Sequence, residues 1–533
     1  SRLTPLERVV RYVVSPIPLQ RLVHVKLMAE TARSIGFTSA VKDILPLVQP
    51  RQHDSEQAVR QHLAQQMQDM SDFFVTEGGD SGYSLFIDEL LPSISFMLWD
   101  KKAEVRASAG TALVGVSELV KVPDRGPRVL TILLRLAHDD TMAEHRVSAA
   151  ELLNQLAPAM GTDLCKHFVI PEMVSLAEDP DFRVRKAAAL NMHNICRTAE
   201  EKEILERLVP AYVTLSEDAM YRVRRACAEN LTEMAKAIPQ ELRAHVLREI
   251  LTRLSNDTSS LVKFSAWQQL GTFIATLPQH GVNPDLLDLF CQLPERTLYN
   301  MDHDHHLRLH CAFNFPAVLA TVGATKWGAL RSVYLMLVRN QMKSVRRTLA
   351  SSLHEVSRIL GRETVEKELL SVFEEFVQDS EEVRIGIVQH LAEFLAVLSD
   401  TCRCSYLPLL KDVLQSTNPF NWRLRQHLAR QLPALCELYS ASNVQSSLFP
   451  FALLLLQDPV NAVRTAAFPG VASLLQKLAE ARGVPAVAAA AGPPEATAPA
   501  AEEPTADEVV LPPPVTVAAT RSPARRSTSS QSS

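Results

Sequence analysis

At 533 residues the chain is long enough for three or four domains of about 150 residues each, but only 17 residues are glycine, about half the average usage of ~7%. Glycine supplies the left-handed positions of tight turns and phosphate loops, so its scarcity counts against sandwiches, barrels and Rossmann-type sheets and favours helices joined by short turns. With 47% apolar residues, 22% charged residues and a net charge of −5, the chain has the profile of a folded soluble protein without the basic excess that sequence-independent nucleic-acid binding needs.

The N-terminal stretch Ser1 to Arg11 alternates charged and apolar residues and lacks a signal-peptide core. Its missing initiator Met suggests processing or trimming. The longest apolar runs, such as Phe451 to Leu456, fall far short of the ~20 residues that span a bilayer. Neither a membrane nor a nucleic acid is therefore an expected partner.

From Ser15 onward one pattern recurs: a turn residue, often Asp, four residues, an apolar residue, then Arg or Lys. Clear copies are Asp54…Val59-Arg60, Asp100…Val105-Arg106, Asp179…Val184-Arg185, Asp218…Val223-Arg224, Asp257…Val262-Lys263, Asp302…Leu307-Arg308 and Asp458…Val463-Arg464. Asn340…Val345-Arg346 replaces the Asp, and Asp379…Val383-Arg384 is one residue shorter. Weaker copies are Ser15…Gln20-Arg21, Asp140…His145-Arg146 and Thr417…Trp422-Arg423. Successive apolar positions lie 38 to 46 residues apart, the ~40-residue period of HEAT or armadillo helical repeats. The expected fold is all-α, an α-solenoid of about twelve helical hairpins.

Within a unit, Asp179 is placed to accept hydrogen bonds from the first free amides of a helix, with Pro180 at the first helical position, where it loses no hydrogen bond. Asp458-Pro459 and Asn418-Pro419 repeat the device. Val184, Ala187, Ala188, Asn191, Met192 and Ile195 then recur at helical spacing and give one buried face. Small residues after the apolar position (Ala109, Ala149, Ala188, Cys227, Ala266, Cys311, Ala467) allow close helix approach. The preceding helix, for example Ile204 to Ser216, carries a proline near its start, Pro210, and Pro92, Pro171, Pro408 and Pro450 share that phase. One hairpin cannot cover its own apolar stripe, so neighbours must stack. The Asp and Arg or Lys residues (Asp179, Arg185, Asp218, Arg224, Asp257, Lys263) are expected to form a ladder of charge-assisted hydrogen bonds between repeats. As exposed pairs they would contribute at most ~1 kcal/mol each and mainly set register.

Two intervals are longer. One contains Thr76 to Gly82, read as a flexible insertion. The other contains Pro278 to Asn283, read as a break. The expected organisation is an N-terminal repeat block over 1–277, a break over 278–300, a C-terminal block over 301–483 and a disordered Ala/Pro/Ser-rich tail over 484–533.

Candidate chemistry is sparse. Gly79-Asp80-Ser81-Gly82 matches the nucleophile segment of trypsin-like proteases, but a helical solenoid does not supply the converging His and Asp. Asp302-His303-Asp304-His305-His306, with His310 and Cys311, is the densest ligand-like cluster, yet Asp302 and Leu307-Arg308 are the ordinary turn of their repeat. His354-Glu355 is a single pair where HEAT-like di-iron enzymes present several. The eight cysteines form no Cys-x-x-Cys pair, and Cys402-x-Cys404 lacks further ligands. Buried free thiols in a reducing cytoplasmic or nuclear compartment are expected. No cofactor, metal or catalytic residue is assigned. Trp422-Arg423 stands apart, because Trp and Arg at a turn are favoured interface residues.

Several segments resemble a known family. His310-Cys311-Ala312-Phe313, Phe315-Pro316-Ala317-Val318, Val345 to Ala350, His354-Glu355-Val356, Glu382 to Gly386, Asn421-Trp422-Arg423 and Glu437 to Ser440 are similar to regulatory subunit 1 of serine/threonine protein phosphatase 4. Thr4-Pro5-Leu6, Val223 to Glu229 and Leu270 to Ile274 fit as well, so the resemblance runs from about Thr4 to Leu478. It implies a non-catalytic subunit that binds the phosphatase catalytic subunit and presents phosphoprotein substrates to it, with metal-dependent hydrolysis left to the partner. The related scaffold of protein phosphatase 2A grips its catalytic subunit through turns of its C-terminal repeats, one carrying a Trp-Arg pair like Trp422-Arg423. Arg384 and Arg464 on the adjoining turns complete the expected contact ridge. The scaffold's second contact Trp has no counterpart, since that unit reads Leu261-Val262-Lys263. The long acidic insertion that such subunits can carry is reduced here to Pro278 to Asn283. A different protein-binding solenoid, such as a transport receptor or assembly scaffold, is the alternative that the repeat alone allows.

Overall fold

The computed structural model describes residues 3–296, 301–415 and 421–483. The expected tail over 484–533, Asn418-Pro419 and the side chains of Asp302 to His305 lie outside the described residues. Among the described residues there is no strand. The described helices pair into twelve successive hairpins, from the Pro5–Val13 pair at one end to the Asn461–Ala481 pair at the other. The second helix of each hairpin packs on those of its neighbours, as Tyr221–Ala237 does between Phe182–Leu190 and Ser260–Ile274. The small residues predicted for these contacts, including Ala149, Ala188, Cys227 and Ala266, are fully buried.

The turn between paired helices differs in one respect from the expected cap. Asp179 does not cap the helix. Its carboxylate accepts from the amide of Asp181 at 2.8 Å, and Asp181 is the N-cap of helix Phe182–Leu190. Pro180 therefore lies in the turn, before the helix begins, and the same holds for Pro459 ahead of Asn461–Ala481. Asp100, Asp218, Asp257 and Asp458 each accept from the amide two residues on. This local bond turns the chain between helices.

The other carboxylate contacts build the ladder. Arg185 reaches Asp218 at 2.6 and 3.2 Å, and Arg224 reaches Asp257 at 2.6 and 2.9 Å. Each arginine also donates to the carbonyl of its own turn, Arg185 to Asp179 and Arg224 to Asp218, both at 2.8 Å. One planar guanidinium thus ties two successive turns, a geometry that lysine's point charge cannot copy. The pattern holds for Arg21–Asp54, Arg60–Asp100, Arg146–Asp179, Arg346–Asp379 and Arg425–Asp458. Arg21–Asp54 and Arg425–Asp458 are buried and the other pairs half-buried, so the small value expected for exposed pairs does not apply to them. In the fourth hairpin the turn acid is Asp139, not Asp140, and His145 meets it at 2.5 Å, while Arg106 donates to the Asp100 carbonyl. Lys263 would face the turn of Asp302, whose side chain lies outside the described residues.

Burial alone would raise the carboxyls of Asp54, Asp100, Asp218 and Asp257, but the arginine and backbone bonds outweigh it and hold each below the usual range. Because these groups are more acidic folded than unfolded, the stability they supply is present above the unfolded value of about 3.9. It is lost as pH falls through the lower folded values. Urea midpoints are expected to be level from pH 7 to about pH 5 and to fall below about pH 4. Asp218→Asn with Asp257→Asn should lower the midpoint at pH 7 and flatten that acid limb.

A second arginine ladder runs along the opposite ends of the hairpins. Arg243 donates to the Ile238 carbonyl before it and the Thr276 carbonyl of the next repeat, at 2.9 and 3.0 Å. Arg125 does the same to Val120 and Ala159, and Arg403 to Leu398 and Leu438. Each cation thereby satisfies carbonyls at two helix C-termini, where the helix dipole favours positive charge.

Pro408 is second in the helix Leu407–Gln415, near its start as expected, but the other prolines of the first helices sit inside them. The helix before Pro210 begins at Glu201 and passes through a π turn over Ile204–Leu208. Pro92, Pro171 and Pro450 likewise follow π turns. The wider turn accommodates a residue with no N–H and a ring that crowds the preceding carbonyl.

Thr76 to Gly82 is not a flexible insertion. It is helical apart from Gly79, whose φ of 55° reverses the chain between two hairpins. A Cβ on Gly82 would collide with the Phe74 carbonyl, so glycine is required there for close packing. Residues 284–295, within the interval read as a break, are helical, and Phe290 packs against Phe315 of the paired helix Met301–Val322.

Candidate functional site: the turn ridge of the last repeats

The turns that carry Arg384, Trp422, Arg423 and Arg464 lie along one edge of the last three hairpins. Trp422 opens the helix Trp422–Leu438, whose N-cap Asn421 accepts from the Leu424 amide at 3.4 Å. Trp422 is half-buried against the core, and the exposed Arg423 lays its guanidinium 5.0 Å from the centre of the indole ring. Such a stack presents a rigid apolar plate with a charged edge.

The structure also corrects the register of this unit. Trp422 is not the buried apolar residue of the repeat. Leu424 is fully buried in that position, and Arg425, not Arg423, forms the inter-repeat bonds to Asp458 at 2.5 and 3.2 Å. Trp422 and Arg423 are thereby released from the packing role and stand at the rim.

The two flanking arginines are held more tightly. Arg464 donates to the carbonyls of Asp458 and Pro459 at 2.7 and 2.9 Å and to Asn461 at 3.3 Å. Arg384 is half-buried and donates to the Val413 carbonyl at 3.2 Å, and burial lowers its pKa. Both shape the ridge through their turns. Trp422 and Arg423 supply its accessible surface.

The remaining sequence candidates are placed as follows. Asp80 pairs with Lys121 at 3.1 Å, and Ser81 is an exposed helical residue beside it. His310 and Cys311 are within the packed body, and burial lowers the His310 imidazole and raises the Cys311 thiol. All eight cysteines are free, and Cys165 and Cys196 are pushed by burial up to about 11 and about 12. These two thiols are packing groups and poor nucleophiles at neutral pH. His354 does not pair primarily with Glu355. It stacks on His390, beside Glu393. Neither His390 nor Glu393 was singled out from sequence, although His390 follows His354 by 36 residues, close to one repeat period.

An open groove of about 950 Å³ lies on the helical face before this ridge, lined by Leu309, Phe313, Pro316, Met342, Arg346 and Arg347. No helix of the described residues is long and apolar enough to cross a membrane.

Comparison with known proteins adds an independent line. Residues 311–413 match the family described as the protein phosphatase 4 regulatory subunit 1 middle domain, and residues 162–239 match a PPP2R1A-like HEAT repeat. Over 175 residues, a third of the chain, it is 41% identical to serine/threonine-protein phosphatase 4 regulatory subunit 1 of Homo sapiens, and equally so to that of Mus musculus. Human regulatory subunit 4 is 22% identical over 366 residues, 64% of the chain. The matches span only 18% of the length of the first of these relatives and 39% of the last. Among solved structures, importin beta aligns over 90% of this chain and 67% of its own with a TM-score of 0.66 at 11% identity. A complex of Kap95p with RanGDP aligns over 89% and 62% with a TM-score of 0.62 at 13% identity. Those likenesses are of fold alone. The chain is a HEAT-repeat solenoid that is similar, over a third of its length, to the regulatory subunit 1 of serine/threonine-protein phosphatase 4.

Proposed function

We propose that the chain is a non-catalytic regulatory subunit that binds a phosphatase 4-type catalytic subunit and holds phosphoproteins within its reach. The observation that carries this reading is the 41% identity to a phosphatase 4 regulatory subunit, together with the middle-domain match over 311–413. Physically, a solenoid raises the effective concentration of substrate at a partner's active site and orients it there. The catalytic-subunit contact is assigned to the Trp422-Arg423 edge, with Arg384 and Arg464 shaping the adjoining turns. A cytoplasmic or nuclear setting suits its free thiols.

The experiment is affinity capture of the tagged chain from cell extract, with identification of the dominant stoichiometric partner. A phosphatase 4-type catalytic subunit is the expected result. Recovery of transport cargo or a nucleotide-bound GTPase in its place would overturn the reading in favour of a transport receptor.

A further inference from the structure

We propose that His354, His390 and Glu393 form a binding site for one divalent transition-metal cation, with Zn²⁺ the best match, that clips the ninth hairpin to the tenth. One ligand atom from each residue lies within 4.8 Å of the others. His354 stands on the helix Lys343–Leu360, His390 at the break between helices Glu381–Gln389 and Leu391–Val397, and Glu393 in the first turn of the latter.

The local structure explains how these groups meet. Gly386 lets the two repeats approach, since a Cβ there would stand 2.7 Å from Ser351 Oγ and 3.0 Å from the Arg347 carbonyl. The helix then breaks at His390, with φ −124° and ψ 25°. Gln431 of the next hairpin takes up the loosened backbone, donating to the Gln389 carbonyl at 2.7 Å and accepting from the Ala392 amide at 3.1 Å. The break is thus held open by the fold, and it turns His390 onto His354.

The two imidazoles lie parallel, 4.0 Å apart at 10°. His354 Nε2 is 3.6 Å from Glu393 Oε2, and His390 Nδ1 is 3.0 Å from Glu393 Oε1. His354 is buried and its Nδ1 has no hydrogen-bond partner. His390 Nδ1 donates to Glu393 Oε1, and a cation bound here would replace that proton. Burial, and then the neighbouring His390, lower the His354 pKa, which favours the neutral imidazole that a metal needs. Two imidazoles and one carboxylate are a donor set for Zn²⁺ and its borderline neighbours rather than for Mg²⁺ or Ca²⁺. Ligand bonds of 2.0–2.1 Å in a tetrahedron place donors about 3.3 Å apart, so the two stacked rings must turn toward each other on binding. Glu355, 4.0 Å from His354 Nε2, or a water would fill the fourth position.

Other charges face the site. Arg358 holds Glu393 Oε2 at 2.9 Å and competes with the cation for it. His427 approaches His390 from the following hairpin.

The test uses the full chain, stripped with chelator and titrated with ZnCl₂ by calorimetry in millimolar Mg²⁺. One equivalent is expected to bind in the micromolar range or tighter, more weakly in acid where protons compete for the ligands. Zn²⁺ should also raise the thermal midpoint. His390→Ala should weaken binding at least tenfold and abolish that midpoint rise. Glu393→Gln, which preserves size and guards against a folding defect, should do the same, while His167→Ala at an exposed histidine elsewhere should change neither. Absence of a micromolar site would overturn the proposal, and so would equal uptake by wild type and the His390→Ala/Glu393→Gln double variant.

Discussion

Trp422→Ala combined with Arg423→Ala is expected to reduce co-precipitation of the phosphatase catalytic subunit at least tenfold while the chain stays folded. Truncation of a central aromatic or arginine anchor commonly costs 2 kcal/mol or more of binding energy, and tenfold corresponds to 1.4 kcal/mol. The rim position of both residues makes this separable from folding. Arg423 is exposed, and its charge does not enter the ladder, where Arg425 does that work. Arg423→Glu alone should therefore change stability by no more than about 0.5 kcal/mol and still impair capture by reversing the charged edge of the stack. Pull-down beside a thermal melt reads both outcomes. Undiminished capture by both folded variants would remove the ridge from the interface and leave the broader regulatory assignment to the partner-identification experiment.

The second large effect is on stability. Arg425→Ala is expected to cost about 3–5 kcal/mol, the penalty for leaving one member of a buried ion pair without its partner. The side chains of Arg425 and Asp458 are 8% and 5% exposed, and Asp458 also fixes the turn through the Val460 amide at 2.9 Å. Because a solenoid repeat leans only on its neighbours, the damage should be local. Hydrogen exchange should quicken across residues 422–481 and stay unchanged across residues 143–237. By contrast, Arg339→Ala, which breaks the exposed pair with Glu375, should cost at most about 1 kcal/mol. Equal costs for the two substitutions would show that burial does not govern the ladder.

Much of this architecture is legible in the chain because a repeat writes each contact many times. The Asp and Arg spacing, the buried small residues after it and the twelve-hairpin count all follow from periodicity, since one helical face must meet the same face of its neighbour. The register of the eleventh unit was misread for a related reason. Asn421-Trp422-Arg423-Leu424-Arg425 offers two apolar-Arg pairs, and only packing shows that Leu424 is the one inside. Gly78, Gly79 and Gly82 look like a loop by composition, whereas Gly82 answers the Phe74 carbonyl and Gly78 the Phe37 ring, residues that the hairpin brings back on itself.

The second arginine ladder and the His354–His390–Glu393 group were hidden for a deeper reason. Arg243 needs the Thr276 carbonyl, and His354 needs His390. In each case the partner lies about one repeat away and is set by helix ends and helix breaks. No side-chain pattern records where those fall.

By itself, then, the sequence determined the repeating hairpin, the sign and spacing of its inter-repeat charges and the segments similar to a phosphatase regulatory subunit. These depend on local helical periodicity, which needs no knowledge of distant contacts. Only the tertiary structure decided which arginine closes each ladder rung, which Trp face stands at the rim and which histidines stack. Those outcomes depend on how closely two helices approach and where each one breaks, and neighbouring repeats settle both.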